Sequence, residues 1–208
     1  MITLSRRKAL AVPAAVLVSA TAGRADAAAG VPIPADMGMG NAKARVTVVE
    51  YASLSCGHCA DFNETIFPAF KKKYVDTGRV RYVMKEFLTA PANVAAAGFL
   101  LARCAGPAKY FKVADEVFRS QSGWRTGADV RAALVKVAQA NGLTEAQFNA
   151  CLEDEKAIAA LNARVQQAVA DGIDSTPTFF VNGKRVEVAS LADLDAAIAA
   201  ASKPAGRR

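Results

Sequence analysis

A chain of 208 residues, 52% hydrophobic and 22% charged, suffices for one domain with a substantial core or one domain carrying a large insertion. Its 26 Lys and Arg against 19 Asp and Glu give a formal charge of +7, but the basic residues are scattered, and no basic helix interleaved with aromatics is present. Nucleic-acid binding is therefore not expected.

In chain order, Arg6, Arg7 and Lys8 precede an apolar run over residues 9–18 and then small residues, the pattern of an export signal. The run to residue 22 falls short of the roughly 20 apolar residues that a bilayer span requires, which favours a cleaved signal over an anchor. Ala20-Thr21-Ala22 and Ala25-Asp26-Ala27 both offer cleavage sites. The second is preferred, because residues 29–39 continue as a flexible lead-in rich in Ala, Gly and Pro. Ser5-Arg6-Arg7-Lys8-Ala9-Leu10 also resembles a twin-arginine signal, with Ala9 where Phe is usual. Removing 27 of the 208 residues leaves 181 and, with four basic and one acidic residue gone, lowers the formal charge from +7 to +4.

The mature part opens with a β-branched run, Val46-Thr47-Val48-Val49-Glu50-Tyr51, suited to a buried strand. Phe62, Ile66, Phe70 and Tyr74 then recur every fourth residue, predicting one helix of about fifteen residues that ends before Gly78. A second strand follows over residues 80–85, completing a right-handed parallel βαβ unit. Residues 92–171 are helical in period throughout. There Thr126 to Asp129 can cap one helix, Thr144 with Gln147 forms a capping box for another, and Ile158, Leu161, Val165 and Val169 form the stripe of a helix beginning at Glu153. Strand character returns at Thr178-Phe179-Phe180-Val181, and Asn182-Gly183 signals a two-residue hairpin before residues 184–188. Ser190 with Asp193 caps a last helix with a stripe at Leu191, Leu194 and Ile198. The expected fold class is α/β, a small mixed sheet interrupted by an all-helical insertion.

Chemistry concentrates at Cys56-Gly57-His58-Cys59, between the first strand and the first helix. Two intervening residues let both sulfurs meet in one helical turn, so the pair can close and reopen without moving the fold. Cys56 stands where unsatisfied amides and the helix dipole favour a thiolate. His58 can add positive charge or a donor, and Gly57 leaves access for a second protein's disulfide. Cys56 is thus the expected attacking sulfur and Cys59 the resolving one. A permanently closed disulfide or half a zinc site are the alternatives, but no second ligand pair is present, because Cys104 and Cys151 are isolated in sequence. No metal or other cofactor is expected, since the exchange requires only thiols.

Glu50 interrupts an apolar strand. Burying a carboxylate there is costly unless it serves something, and the two readings are a proton acceptor for Cys59 or a partly exposed edge residue. Pro177 is either an ordinary strand start, which needs no amide donor, or a cis proline beside the cysteines, with Thr176 gripping an extended substrate segment. Cys104 and Cys151 are expected to form a structural disulfide between two packed helices, the alternative being two free core cysteines. An even number of cysteines, four, in an exported chain argues for an oxidising compartment.

Glu50-Tyr51-Ala52-Ser53, Cys56-Gly57-His58-Cys59, Phe62, Asn63 and the run from Thr176-Pro177 to Asn182-Gly183 together resemble the DsbA-like thioredoxin superfamily, particularly its alphaproteobacterial members. The resemblance implies a thioredoxin-like fold over residues 46–91 and 172–201, an inserted helical domain over 92–171 and a flexible tail over 202–208. It also implies catalytic roles for Cys56 and Cys59, a buried acid at Glu50 and a cis bond before Pro177. The implied activity is that of a periplasmic dithiol oxidase, acting as a monomer on reduced or misfolded exported proteins and reoxidised by a membrane partner. Gly57-His58 in place of Pro-His, and Thr176 where Val occurs, are shared with isomerase or reductase members and leave that direction of electron flow open. The lead-in over residues 28–45 is too short for an isomerase's dimerisation domain, which favours the oxidase. A non-enzymatic chaperone is the reading from another class.

Overall fold

The computed structural model describes residues 35–203. The expected signal over residues 1–27, the first part of the lead-in and the end of the tail lie outside the described residues. Among the described residues, no helix is long and apolar enough to cross a membrane.

Five strands form one sheet: β1 (Met37–Gly40), β2 (Val46–Ala52), β3 (Val80–Glu86), β4 (Thr178–Val181) and β5 (Lys184–Val186), in the order β1-β3-β2-β4-β5. Strands β2 and β3 are parallel, with Val48 opposite Tyr82 and Glu50 opposite Met84. Strand β4 is antiparallel to β2, with Phe179 opposite Glu50. β2 is therefore the central strand. Period-two alternation sends Val46, Val48 and Glu50 to one face with Val80, Tyr82 and Met84, all of them buried. Tyr51 turns to the other face, where it packs with Ala168, Ile173, Val49 and Phe180.

Asn182 and Gly183 adopt φ of 47° and 79° between Val181 and Lys184, which pair directly across the hairpin. Two consecutive positive φ values define the tight turn whose twist matches that of its strands.

The lead-in is not uniformly flexible as expected. Met37–Gly40 forms β1, antiparallel to β3. The helix after Cys56 is likewise not one helix of about fifteen residues. α1 (Gly57–Thr65) stops at Ile66, whose φ of −108° leaves the helical norm, α2 (Phe67–Phe70) begins with Pro68 in its first turn, and Lys71–Val75 continues as a π-helical turn. Proline has no amide hydrogen and crowds the preceding turn, so the chain bends there while Phe62, Phe70 and Tyr74 stay on the buried side.

The helical insertion comprises α3 (Ala92–Cys104), α4 (Tyr110–Arg125), α5 (Val130–Ala140), α6 (Glu145–Glu153) and α7 (Glu155–Ala170). Asp129 caps α5 by accepting from Ala132 N–H, Thr144 and Gln147 form the capping box of α6, and Asp154, not Glu153, starts α7. The stripe of α7 differs from the expected one. Leu161 is buried with Ala160, Arg164 and Ala168, whereas Val169 is 58% exposed. Helix α8 (Leu191–Ser202) closes the chain, its Ser190 and Asp193 forming a capping box and its Leu194 and Ile198 buried. The core is continuous from sheet to insertion, running through Phe70, Tyr82, Phe99, Tyr110, Phe118 and Phe148, each 1% exposed or less. Burying one such side chain contributes about 1.5–3 kcal/mol.

Candidate active site

The chain leaves β2 at Ala52 and turns at residues 53–56, where Cys56 N–H donates to Ser53 O at 3.0 Å. Cys56 is the N-cap of α1, in extended conformation and without a side-chain capping bond. Its sulfur therefore lies against the free amides of the first turn, at the positive end of the helix. Both Cys56 and Cys59 are free thiols here, Cys56 partly exposed and Cys59 buried.

Burial and hydrogen bonding separate the two sulfurs chemically. Cys56 is pulled down from the ordinary thiol range to about 5, chiefly by the Cys59 thiol donating toward it. Partial burial opposes this, while the backbone amides of Cys59 and His58 assist it. Cys59 is pushed well above the ordinary range, first by burial, then by its donation to Cys56 and by the charges of Glu50 and Cys56. At neutral pH Cys56 is thus a thiolate within reach of solvent, and Cys59 a protonated thiol behind it. The imidazole of His58 is exposed, and the backbone amide of this residue supports the thiolate.

Facing the pair is the loop before β4. The Thr176-Pro177 bond is cis, and Cys56 Sγ lies 3.3 Å from Thr176 O. Thr176 Oγ1 is buried with no partner among the described residues. Gly57 stands at the first position of α1 and is partly exposed.

Glu50 is 1% exposed in the middle of the central strand, which excludes the edge reading. Oε2 accepts from the hydroxyl of Tyr82, while Oε1 is buried without a partner among the described residues. Burial drives its carboxyl up to about 8, the Tyr82 hydrogen bond pulling the other way and the charge on Cys56 adding to the rise. Tyr82 is a site residue with no signal in the sequence, because a tyrosine in an apolar strand reads simply as core.

Two further groups carry no such signal either. Gln121 of α4, 3% exposed, donates to Leu54 O at 2.9 Å and Cys56 O at 3.3 Å. Glu86, 1% exposed at the end of β3, accepts from Arg103 Nε at 2.5 Å, Arg164 Nε at 2.6 Å and Tyr110 OH at 3.1 Å. Cys104 and Cys151 are joined by a disulfide linking α3 to α6, with their Cα atoms 5.9 Å apart. Among the described residues no cluster of His, Cys, Asp or Glu suits a metal ion.

Comparison with known proteins gives a consistent result. A Rickettsia typhi protein named as a protein-disulfide oxidoreductase is 37% identical over 165 residues, covering 78% of this chain, while this chain spans 60% of that protein's length. The crystal structure of Wolbachia pipientis alpha-DsbA1 is similar with a TM-score of 0.73 at 28% identity, covering 82% of this chain and 92% of that one. The oxidised BdbD of Bacillus subtilis shares the fold, with a TM-score of 0.72 at 21% identity over 80% of this chain and 92% of that one. The thioredoxin family model Thioredoxin_4 matches residues 33–200, and with a DsbA-type helical insertion between the two parts of its sheet the chain belongs to the thioredoxin family.

Proposed function

We propose that the chain is a protein thiol-disulfide oxidoreductase working mainly as a dithiol oxidase. The observation that carries this is the asymmetry of the pair: a half-exposed Cys56 held as thiolate at about 5 against a buried, protonated Cys59. A sulfur stabilised as thiolate is a good leaving group, so the oxidised enzyme gives up its disulfide readily and the dithiol is the favoured product.

In the donating direction a client thiolate attacks Cys56 Sγ, the Cys56–Cys59 bond breaks, and Cys59 leaves as a thiolate that takes a proton from Glu50. A second client thiolate then attacks the client sulfur of the mixed disulfide and expels Cys56 as thiolate. The client loses two electrons and gains a disulfide; the enzyme gains two electrons and becomes a dithiol. When Cys59 attacks instead, Glu50 takes its proton, and a carboxyl held at about 8 can do either near neutral pH. The Thr176 carbonyl and amide hold an extended client segment beside Cys56, and Gly57 leaves that approach open.

The same reading makes residues 1–27 an export signal, places the mature protein in the periplasm as a monomer, and gives it reduced exported proteins as clients and a membrane protein as reoxidant. It divides the chain into thioredoxin-like parts at 46–91 and 172–201 around a helical domain at 92–171. The resemblance to the disulfide oxidoreductases named above supports it.

Equilibration with defined glutathione ratios tests the direction. The expected potential lies between roughly −120 mV and roughly −270 mV, nearer the first. A value near −270 mV, with client reduction outpacing client oxidation, would make the protein a reductase or isomerase. Cys59→Ala should trap clients as mixed disulfides on Cys56, and no trapped species from periplasm would remove the exchange reading altogether.

A further inference from the structure

The turn that carries the nucleophile is gripped from outside the sheet. Gln121 Nε2 has two hydrogens, and the acceptors in reach are Leu54 O at 2.9 Å and Cys56 O at 3.3 Å. Cys56 O also accepts the first bond of α1, from Ala60 N–H at 3.1 Å. Glutamine is mostly found exposed on protein surfaces, and burying its amide is unfavourable unless the hydrogens find acceptors. Here they go to the two carbonyls that bracket Ser55, immediately before the nucleophile.

The Leu54 side chain is gripped as well. It is 0% exposed, and a Cβ on Gly98 of α3 would lie 3.0 Å from Leu54 Cδ1 and 3.3 Å from Val117 Cγ1 of α4. Leu54 thus fills a socket between α3 and α4 that a side chain at 98 would invade. Near Val117 on α4, Asp115 accepts from Asn63 Nδ2 of α1 at 2.7 Å. The insertion is fastened to both sides of the cysteine motif.

Building on the oxidoreductase reading, we infer that Gln121 is a positioning residue for Cys56: through it, and through the Leu54 socket, the inserted helices hold the turn at 53–56 and set how readily the nucleophile exchanges disulfides. Without the two hydrogen bonds the turn loosens, and the Cys56 sulfur loses its fixed alignment with the amides of His58 and Cys59. The positively polarised amide hydrogens beside the Cys56 carbonyl are lost too. Both changes make the thiolate less favoured and the enzyme a weaker oxidant.

Gln121→Met keeps the length and removes the donors; Gly98→Ala strains the socket from α3 and touches neither cysteine. In each reduced variant, thiolate absorbance against pH follows Cys56, and equilibration with glutathione gives the exchange constant. The expected result is a titration midpoint raised by about half a unit, roughly a three-fold smaller thiolate population at a pH below the midpoint. The glutathione constant should move about three-fold toward the weaker oxidant, about 14 mV. Lower thermal stability with both readings unmoved would overturn the inference and leave Gln121 a purely structural residue. Should Gln121→Met fail to fold, Gly98→Ala decides on the same criterion. Wild-type protein is the control: a wild-type Cys56 that does not exchange with glutathione defeats the oxidoreductase reading, whereas variants that match an active wild type defeat only this inference.

Discussion

Glu50 and Glu86 are equally buried, each 1% exposed, and stand on neighbouring strands, yet their surroundings differ in kind. Glu86 meets two guanidinium groups and a phenol, so its charge is balanced and its oxygens are occupied. Glu50 meets one phenol and no cation, and one of its oxygens has no partner among the described residues. A buried carboxylate fully provided with partners serves as a tie, here between the sheet and helices α3, α4 and α7. A carboxylate left short of partners has its proton affinity raised by burial, and groups so perturbed gather where chemistry is done.

The largest effect should come from breaking the tie. Arg164→Ala leaves Glu86 and Arg103 as an incomplete buried cluster, and a loss of about 3–5 kcal/mol is expected in urea denaturation. A smaller loss would mean that water reaches Glu86 and that the two carboxylates differ less than their partners imply. Replacing both Cys104 and Cys151 by Ala should remove about 2–4 kcal/mol. Because Cys104 adjoins Arg103 on α3, this change is expected to weaken the Glu86 side while leaving the pH dependence that Glu50 imparts unaltered.

Glu50→Gln should act in the opposite sense. With its folded value near 8 against an ordinary 4.5, the folded protein holds a proton that the unfolded chain has released between those pH values. Glu50 therefore makes stability fall as pH rises from about 4.5 to about 8. Glu50→Gln should abolish that decline and leave the variant more stable than wild type at pH 9, by denaturation at pH 5 and pH 9, while slowing resolution by Cys59. The smallest effect is expected from Tyr82→Phe. Loss of the donor, about 1 kcal/mol, should move the Glu50 midpoint further up, and the resolution rate should then begin to rise only at higher pH.

The two carboxylates also differ in how far their roles are legible in the amino-acid sequence, and the reason extends to the whole fold. Strands β2, β3 and β4, the caps at Asp129, Thr144 and Ser190, and the Asn182-Gly183 hairpin are encoded by neighbours within a few residues, and they stand where the sequence pattern puts them, within a residue or two. The cysteine motif is legible for the same reason, since two sulfurs three apart at a strand-to-helix junction have few other uses. Glu50 shows itself as a charge inside an apolar run. Glu86 does not, because a charged residue ending a strand resembles any exposed terminus and its arginines lie 17 and 78 residues away. Gln121 is hidden in the same way, 67 residues from the carbonyl it holds. Pro68 is in plain view, but the every-fourth recurrence of Phe62, Ile66, Phe70 and Tyr74 runs straight through the bend and masks it. Met37–Gly40 pairs with β3, yet Met-Gly-Met-Gly carries no β-branched signal.

The bond between Cys104 and Cys151 makes residues 104–151 a covalent ring, and helices α4 and α5 lie within it. The connection between these helices, residues 126–129, is exposed and includes Gly127 at φ +95°, an accessible place for a protease to cut. A single cut there would open the ring without dividing the molecule, so the nicked protein would run as one band on a non-reducing gel and as two after reduction. Both α4, with Gln121, and the helices it leans on would stay tethered at the cysteine motif.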